Sequence, residues 1–569
     1  MLNSEISKIF REIARILEIK GENVFRIRAY ERAAQNIEAL SEDIEHLVRE
    51  SRLLEIPGVG KDLSQRITEY VTTGRVKYFE DLKKTIPHGV LELLNVPSVG
   101  PKTARLLYEK LKIKDIGGLE SAIAKGKLKG IFGIKEKTIA NILKGIDLLK
   151  RKKEKMALAQ AMRVASEFEQ ALKRLPEVKD IVCAGSLRRR KEIVRDIDIL
   201  VASDKPQKIM EHFVRIPGVA QVQAKGETKS SVRTKEDVQV DCRVVGHKSF
   251  GAALVYFTGS KNFNIKLRQI AIKKGLKINE YGVFKNGKFI CGKSEKEIFE
   301  YLGMEYIPPE LREDTGEIEL ALESRLPELV ELKDIRGDFH AHSTWSDGEN
   351  SIEQMAHAAK QIGHSYIAIT DHSQSLKVAN GLSLLDLKKK KLQIEGLNKR
   401  LGDFVILYGT EVDIDSEGKI DYNNEALKEF DIVVAAVHSG FKQPKDKITR
   451  RLIRACQNKY VHIIAHPTGR LWGVREPYEI DFEEFLKAAR DTNTHLEINA
   501  FPDRLDLNDL HCRKAKEAGV KLAIGTDAHT MGQLAGMELG VAVARRGWLA
   551  KKDVINTLEG KELFKEIKK

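Results

Sequence analysis

The sequence predicts a multidomain protein with an α-helical N-terminal region, an α+β middle and a C-terminal α/β domain. Three observations carry this. Short amphipathic helices punctuated by glycine fill about the first 150 residues. Short β-rich runs such as DIVCAG, DIDILVA and VQVDCRVV then stand between helical segments up to about residue 300. After residue 334, β-like runs alternate with helical ones in the manner of a parallel sheet or barrel. At 569 residues and 42% apolar composition the chain is too long for one core.

In the N-terminal region one pattern occurs three times. LLEIPGVGKDLSQRI and LLNVPSVGPKTARLL are clear copies; LKGIFGIKEKTIANIL keeps the pattern with Lys135 in place of the second glycine. A glycine-bearing hairpin between two helices leaves backbone N–H groups at the start of the second helix, which suit a phosphate and read no sequence. Gly58, Gly60 and Lys61 in the first copy, with Gly100 and Lys102 in the second, are the candidate DNA contacts. The pattern resembles the helix-hairpin-helix motif of non-specific DNA-binding proteins.

The middle region carries GSLRRRKEIVRDID, with Gly185-Ser186 ten residues before Asp196-x-Asp198. On a strand, positions i and i+2 share a face, so both carboxylates point one way while Ile197 and Ile199 enter the core. Such a pair can hold two hard divalent cations against a triphosphate. Asp241 in VQVDCRVV stands between apolar positions on a later strand, where an acid is costly without a metal or partner.

This is the pattern of the nucleotidyltransferase superfamily. Tyr256-Phe257-Thr258-Gly259-Ser260, Asn264, Arg268 and Asn279-Glu280-Tyr281 narrow it, because they resemble the nucleotide-binding and thumb segments of DNA polymerase beta. The resemblance covers residues 1 to about 318. It implies that Asp196 and Asp198 bind two magnesium or manganese ions and that Asp241 completes the site at the primer end. By the same resemblance Gly185, Ser186, Arg189 and Gly259 belong to the nucleotide site, Ser186 and Arg189 contacting the triphosphate. Tyr256 and Phe257 exclude a ribose 2′-OH, and Asn264 and Arg268 read the minor groove. Two departures stand out. The lysine that forms the lyase Schiff base in polymerase beta falls at Arg66, which cannot shed its charge to become an amine nucleophile. The basic residue two positions before the third aspartate is Gln239, so tuning of Asp241 by that neighbour is lost.

In the C-terminal domain DFHAHSTWSDG places His340 and His342 on one face of a strand. Asp347, Asp371-His372, Glu411, His438, His466, Asp527 and His529 follow, mostly at ends of β-like runs, where parallel α/β folds collect their active sites. Mixed imidazole and carboxylate ligation suits manganese, zinc or iron, and several close ions activate a water and clamp a phosphate. The series resembles the PHP (polymerase and histidinol phosphatase) superfamily over residues 335 to 569. That resemblance implies a trinuclear site formed by His340, His342, Asp347, His372, Glu411, His438, His466, Asp527 and His529 in a distorted seven-stranded α/β barrel. Arg470, four residues beyond His466, is a candidate for holding a substrate phosphate.

The two resemblances divide the chain into helical DNA-binding subdomains (1–90 and 91–150), a palm (151–250), a thumb for nucleotide selection (251–318), a linker (319–333) and a PHP domain (334–569). Residues 334–569 carry 35 basic and 35 acidic side chains, so the excess of +14 lies entirely in residues 1–333. An unbalanced basic surface attracts polyanions through counterion release. Five scattered cysteines without a C-x-x-C pair argue against a disulfide framework or zinc ribbon. With neither a membrane-length apolar run nor a secretory signal, a cytoplasmic, nucleoid-associated monomer is expected. The expected activity is family X gap filling on gapped or primer-template DNA with deoxynucleoside triphosphates. Manganese-dependent 3′-5′ exonuclease activity accompanies it, with abasic-site endonuclease or 3′-phosphatase activity as extensions. A template-independent nucleotidyltransferase fused to a phosphatase and a non-catalytic DNA-end scaffold are the rival readings.

Overall fold

A computed structural model describes residues 2–568 except 39, 41–43, 97, 129, 130, 132, 133, 135 and 154. The chain divides into two compact units, residues 1–153 with 438–444, and residues 154–437 with 445–569.

The first unit is helical. Helix α1 (Leu2–Lys20) turns its apolar stripe, Phe10, Ile13 and Leu17 among others, against α2 (Val24–Glu38). The first two hairpins form alike. Val59 N–H bonds Ile56 O at 3.0 Å before helix α3 (Lys61–Thr73), and Val99 N–H bonds Val96 O at 2.9 Å before α4 (Pro101–Leu111). The turn needs a left-handed residue, supplied by Gly58 (φ +86°) in one copy and Ser98 (φ +72°) in the other. Gly60 and Gly100 cap the helices without a side-chain bond, so the first-turn N–H groups remain open to an outside acceptor, with exposed Lys61 and Lys102 beside them. In the third copy Ile134 N–H bonds Ile131 O at 3.0 Å in the same way, but Gly133 and Lys135 lie outside the described residues.

The second unit holds two principal sheets. The palm sheet has the order β1-β2-β5-β4-β3, from β1 (Asp180–Cys183), β2 (Asp196–Ala202), β3 (Val219–Lys225), β4 (Lys229–Thr234) and β5 (Gln239–Val245). Only the β2–β5 pair is parallel. Helices α5 (Phe250–Thr258) and α6 (Lys261–Lys273) lead to a three-stranded antiparallel sheet, β6 (Leu276–Asn279), β7 (Gly282–Lys285) and β8 (Lys288–Cys291). Buried Glu295 fastens this thumb: it accepts from Arg312 at 2.6 Å and from Arg188 at 2.6 and 2.7 Å. Burial opposes its charge, yet the two guanidinium groups hold its pKa down at about 2. Removing one partner would strand a buried charge, at a cost of about 3–5 kcal/mol.

The C-terminal sheet has seven strands, all parallel, in sequence order: β9 (Gly337–Ala341), β10 (Tyr366–Ile369), β11 (Val405–Asp413), β12 (Ile432–Ala436), β13 (Ile463–Ile464), β14 (His495–Asn499) and β15 (Leu522–Gly525). Strands buried on both faces explain the unbroken apolar runs such as IVVAA. The last strand returns to the first: Ala341 bridges Ala528 in parallel, His342 N–H bonds Ala528 O and Asp527 N–H bonds His340 O, both at 2.8 Å. The sheet is a nearly closed barrel, as the sequence predicts. Segment 319–333 is fastened to it, since Val330 N–H bonds Leu549 O at 3.0 Å and Leu329 bridges Ala550. No helix among the described residues is long and apolar enough to cross a membrane, and the five cysteines are free thiols.

Two candidate metal centres

Register builds the first centre. Asp198 lies directly opposite Asp241 across the parallel β2–β5 pair, and Asp196 lies opposite Gln239. Ile197 and Ile199 are buried between the half-buried aspartates, as the alternation requires. Burial raises the Asp198 pKa to about 7, with Asp196 and Asp241 adding repulsion. Three carboxylates so gathered concentrate negative charge, which suits a divalent cation. Gly185 closes in from above with φ +62°, and a Cβ there would stand 2.5 Å from Asp198 Oδ2. Asp241 accepts a bond from Gln239 at 3.1 Å and pairs with Lys229 at 3.4 Å. The positive charge missing at position 239 therefore arrives from the neighbouring strand, a residue the sequence reading passed over.

Asp198, Asp241, Lys229, Arg243 and Phe257 line one hollow of about 40 Å³. Phe257 lies edge-on to Tyr256 at 5.0 Å and under the Arg243 guanidinium at 4.7 Å. Asn264 donates to Tyr256 O at 2.7 Å, and Arg268 Nε to Asn264 O at 3.1 Å, which ties these side chains to one helical ladder. Arg189 donates through Nε to Glu313 at 3.0 Å and through Nη1 to Thr258 O, spending two of its five donors. A Cβ on Gly259 would meet that same guanidinium at 3.2 Å.

The second centre crowds the C-terminal end of the barrel. Ligand atoms of His342, Asp347, His372 and His529 all lie within 4.8 Å of one another, and so do those of His340, His342 and Asp527. Glu411 joins them, 2.9 Å from His372 Nδ1, 3.0 Å from His466 Nε2 and 3.4 Å from His340 Nε2. His438 stands two residues past the end of β12. Burial and the neighbouring imidazoles lower the His342 pKa to about 4, so its ring is neutral. Burial also opposes charge on His372, but Glu411 and Asp347 outweigh it and raise its pKa to about 10. This carboxylate cluster thus retains positive charge, either protons on imidazole or metal ions between the ligands. The second fits the atoms better: buried His340 Nε2 and both ring nitrogens of His342 find no hydrogen-bond partner among the described residues.

One residue here escaped the sequence reading, and two it named have other partners. Glu497, fully buried on β14, bonds His340 Nδ1 at 2.6 Å and accepts His466 N–H at 2.7 Å, which fixes two ligands at once. An acid alternating with Leu496 and Ile498 in HLEINA was the available signal. Asp371 is spent elsewhere, on buried Lys390 at 2.9 Å and on Ser343 and Ser346. Arg470 donates to Glu192 of the palm at 2.8 Å and to the Arg504 and Leu505 carbonyls, so its guanidinium is committed to protein groups.

Comparisons with known proteins agree with this architecture. The chain matches a helix-hairpin-helix domain over residues 1–76, a SAM-like helix-hairpin-helix tandem over 90–147, the DNA polymerase beta thumb over 253–313 and the PHP domain over 338–501. It is 41% identical over 567 residues, 99% of each chain, to the DNA polymerase/3'-5' exonuclease PolX of Bacillus subtilis. DNA polymerase lambda of Rattus norvegicus is 24% identical over 348 residues, 55% of this chain and 56% of that protein. A probable phosphatase of Thermoanaerobacter sp. is 35% identical over 247 residues, 41% of this chain and 95% of that one. With both centres, the hairpins and a full-length relative in agreement, the chain belongs to the family X DNA polymerases that carry a C-terminal PHP domain.

Proposed function

We propose that the protein fills short gaps in DNA during repair and that its barrel trims the 3′ terminus by manganese-dependent 3′-5′ exonuclease action. Abasic-site cleavage and removal of 3′-phosphates are further uses of the same hydrolytic centre. The observation that supports the pairing best is that one compact unit holds both Asp196 and Asp198 beside the register-paired Asp241 and the clustered His340, His342, Asp347, His372, Asp527 and His529.

In the palm, Asp196, Asp198 and Asp241 would hold two magnesium or manganese ions, which supply charge neutralisation of the triphosphate and activation of the primer hydroxyl. The protein's own part is placement. Gly185 and Ser186 bring backbone and hydroxyl to the phosphates, and Arg189 adds its remaining N–H donors. Tyr256 and Phe257 crowd the sugar, and Asn264 and Arg268 sense the minor groove. In the barrel, His340, His342, Asp347, His372, Glu411, His438, His466, Asp527 and His529 would hold about three ions of manganese, zinc or iron, which supply an activated water and a phosphate clamp. Glu497 and the backbone bonds between His340, His342, Asp527 and Ala528 orient the ligands. Gly58, Gly60, Lys61, Gly100 and Lys102 would grip DNA phosphates independently of sequence.

The deciding experiment uses gapped DNA with a labelled primer, with and without nucleotides, first in magnesium and then in manganese. Template-directed extension with nucleotides and primer shortening without them are expected. Untemplated addition, or an intact primer in every condition, would refute the reading.

A further inference from the structure

The segment Gly185–Glu192 begins at the nucleotide site and ends on the barrel. Arg546, 3% exposed, donates to the backbone carbonyl of Arg189 at 2.8 Å and also reaches Glu313, the thumb carboxylate that holds the Arg189 side chain, at 3.2 Å. Asp509 of the barrel anchors Arg546 from the other side at 2.5 Å. Arg190 pairs with Glu538 at 2.9 Å. Two residues on, Glu192 receives Arg470 Nη1 at 2.8 Å, while Nε and Nη2 of Arg470 grip the Arg504 carbonyl at 2.9 and 2.7 Å. The surrounding seam is continuous: Trp548 of the barrel packs into the thumb's apolar core, and Arg545 holds Glu310 at 2.8 Å.

Desolvated charge pairs add little net stability compared with apolar packing, but breaking one half is disruptive, so their consequence is a defined geometry. Nucleotide binding is sensitive to that geometry, since triphosphate contacts that are not held in place must be ordered on binding, which costs affinity. Ser186 sits only three residues before the Arg189 carbonyl that Arg546 holds.

We propose that the barrel is a structural part of the polymerase's nucleotide site, with Arg470 and Arg546 as positioning residues that keep Ser186–Glu192 in register. This rests on the reading of Ser186 and Arg189 as triphosphate contacts. The barrel then serves polymerisation without contributing its metals or its hydrolysis.

The test uses the full-length protein on one-nucleotide-gapped DNA in magnesium, with KM for the incoming nucleotide and kcat measured separately. Arg470→Met and Glu192→Gln are each expected to raise KM about tenfold with kcat changed less than about threefold. Arg470→Lys should recover most of the loss, and the double variant should be no worse than the worse single. Unchanged KM in folded variants, a loss confined to kcat, or single effects that multiply in the double variant would each overturn the proposal. Ser186→Ala and Arg189→Ala separate the two readings: if they leave KM unaltered, the assignment of the nucleotide site has failed, whereas a rise there without one in Arg470→Met refutes the brace alone. Should the buried variants not fold, Glu538→Gln, at a half-exposed pair, carries the test. A rise in KM of about threefold is expected there, and an unchanged KM overturns the proposal.

Discussion

The two metal centres gather negative charge in opposite ways. In the palm, half-buried Asp198 faces Asp241 across a parallel strand pair, Asp196 stands two residues before Asp198 on the same strand, and Lys229 and Arg243 lie at the edge with no imidazole among the lining residues. In the barrel, His340 and His342 are 0% exposed, Glu411 and His466 1%, and imidazoles and carboxylates interleave. The first centre is half-buried and rich in carboxylates, which under the proposed function suits cations that arrive with the triphosphate. The second is mostly buried, and protein groups orient its rings, Glu497 holding His340 through Nδ1. The difference in burial and ligand type predicts exchangeable ions in the palm and resident ions in the barrel.

The comparison breaks first at Asp198. Asp198→Ala removes a carboxylate facing Asp241, and metal charge stabilisation of several kcal/mol corresponds to at least about a thousandfold loss of nucleotide incorporation. DNA binding, measured by gel shift, should persist, and 3′-end hydrolysis should remain. Incorporation near the wild-type rate would remove Asp198 from the metal site.

The converse variant, His340→Ala with His342→Ala, deletes two imidazoles that no nearby side chain replaces. Bound metal, measured by elemental analysis after gel filtration, should fall, and exonuclease activity should collapse with it. Polymerisation should survive, because under the proposed function the aspartates bind their own ions and the seam formed by Arg470 and Arg546 is untouched. Loss of both activities in a folded protein would refute the independence of the two chemistries.

A smaller effect is expected at Gly185. Alanine there meets Asp198 Oδ2 at 2.5 Å and must also adopt φ +62°. Displacing a catalytic carboxylate by that contact should lower incorporation about a hundredfold and leave hydrolysis alone. In the barrel, Glu497→Gln keeps the shape but removes the charge beside His340 Nδ1, so metal affinity should fall about 10- to 100-fold in a chelator competition. Wild-type affinity would make Glu497 a purely structural residue.

The fold was legible because its strongest signals are periodic. Asp196 and Asp198 alternate with buried isoleucines, and β-like runs alternating with helical ones pointed to a parallel sheet or barrel, which the PHP resemblance narrowed to a barrel. What stayed hidden depends on pairing between distant segments. Lys229 reaches Asp241 only because β4 lies beside β5, and Glu497 reaches His340 across 157 positions of chain. Arg470 followed the candidate metal ligand His466 and suggested a phosphate contact, yet its partner is Glu192, 278 positions away. Asp371, adjacent to His372, is claimed by Lys390, one of four consecutive lysines (388–391) and completely buried by the fold. Local spacing identifies which face of a strand a residue occupies, but the third dimension decides what meets it there.

The smallest effect concerns Arg66, in the N-terminal unit, where polymerase beta has its lyase lysine. The guanidinium carbon lies 3.8 Å over the Tyr78 ring, Nη1 donates to the Tyr30 hydroxyl and Nη2 pairs with Asp62 at 3.0 Å. Its side chain is 13% exposed. A permanently charged group held by stacking and two polar contacts cannot supply the neutral amine that Schiff-base chemistry requires. Borohydride treatment of the protein with incised abasic DNA should therefore give no adduct at residue 66, and Arg66→Ala should leave any background trapping unchanged. What that variant does lose is packing: the cation–π contact and hydrogen bonds together stabilise the unit by about 1–2 kcal/mol, visible as a modest fall in Tm. An adduct mapped by peptide sequencing to another lysine would show lyase chemistry by a different route. One mapped to the immediate surroundings of Tyr30 and Tyr78 would reopen this pocket as its seat.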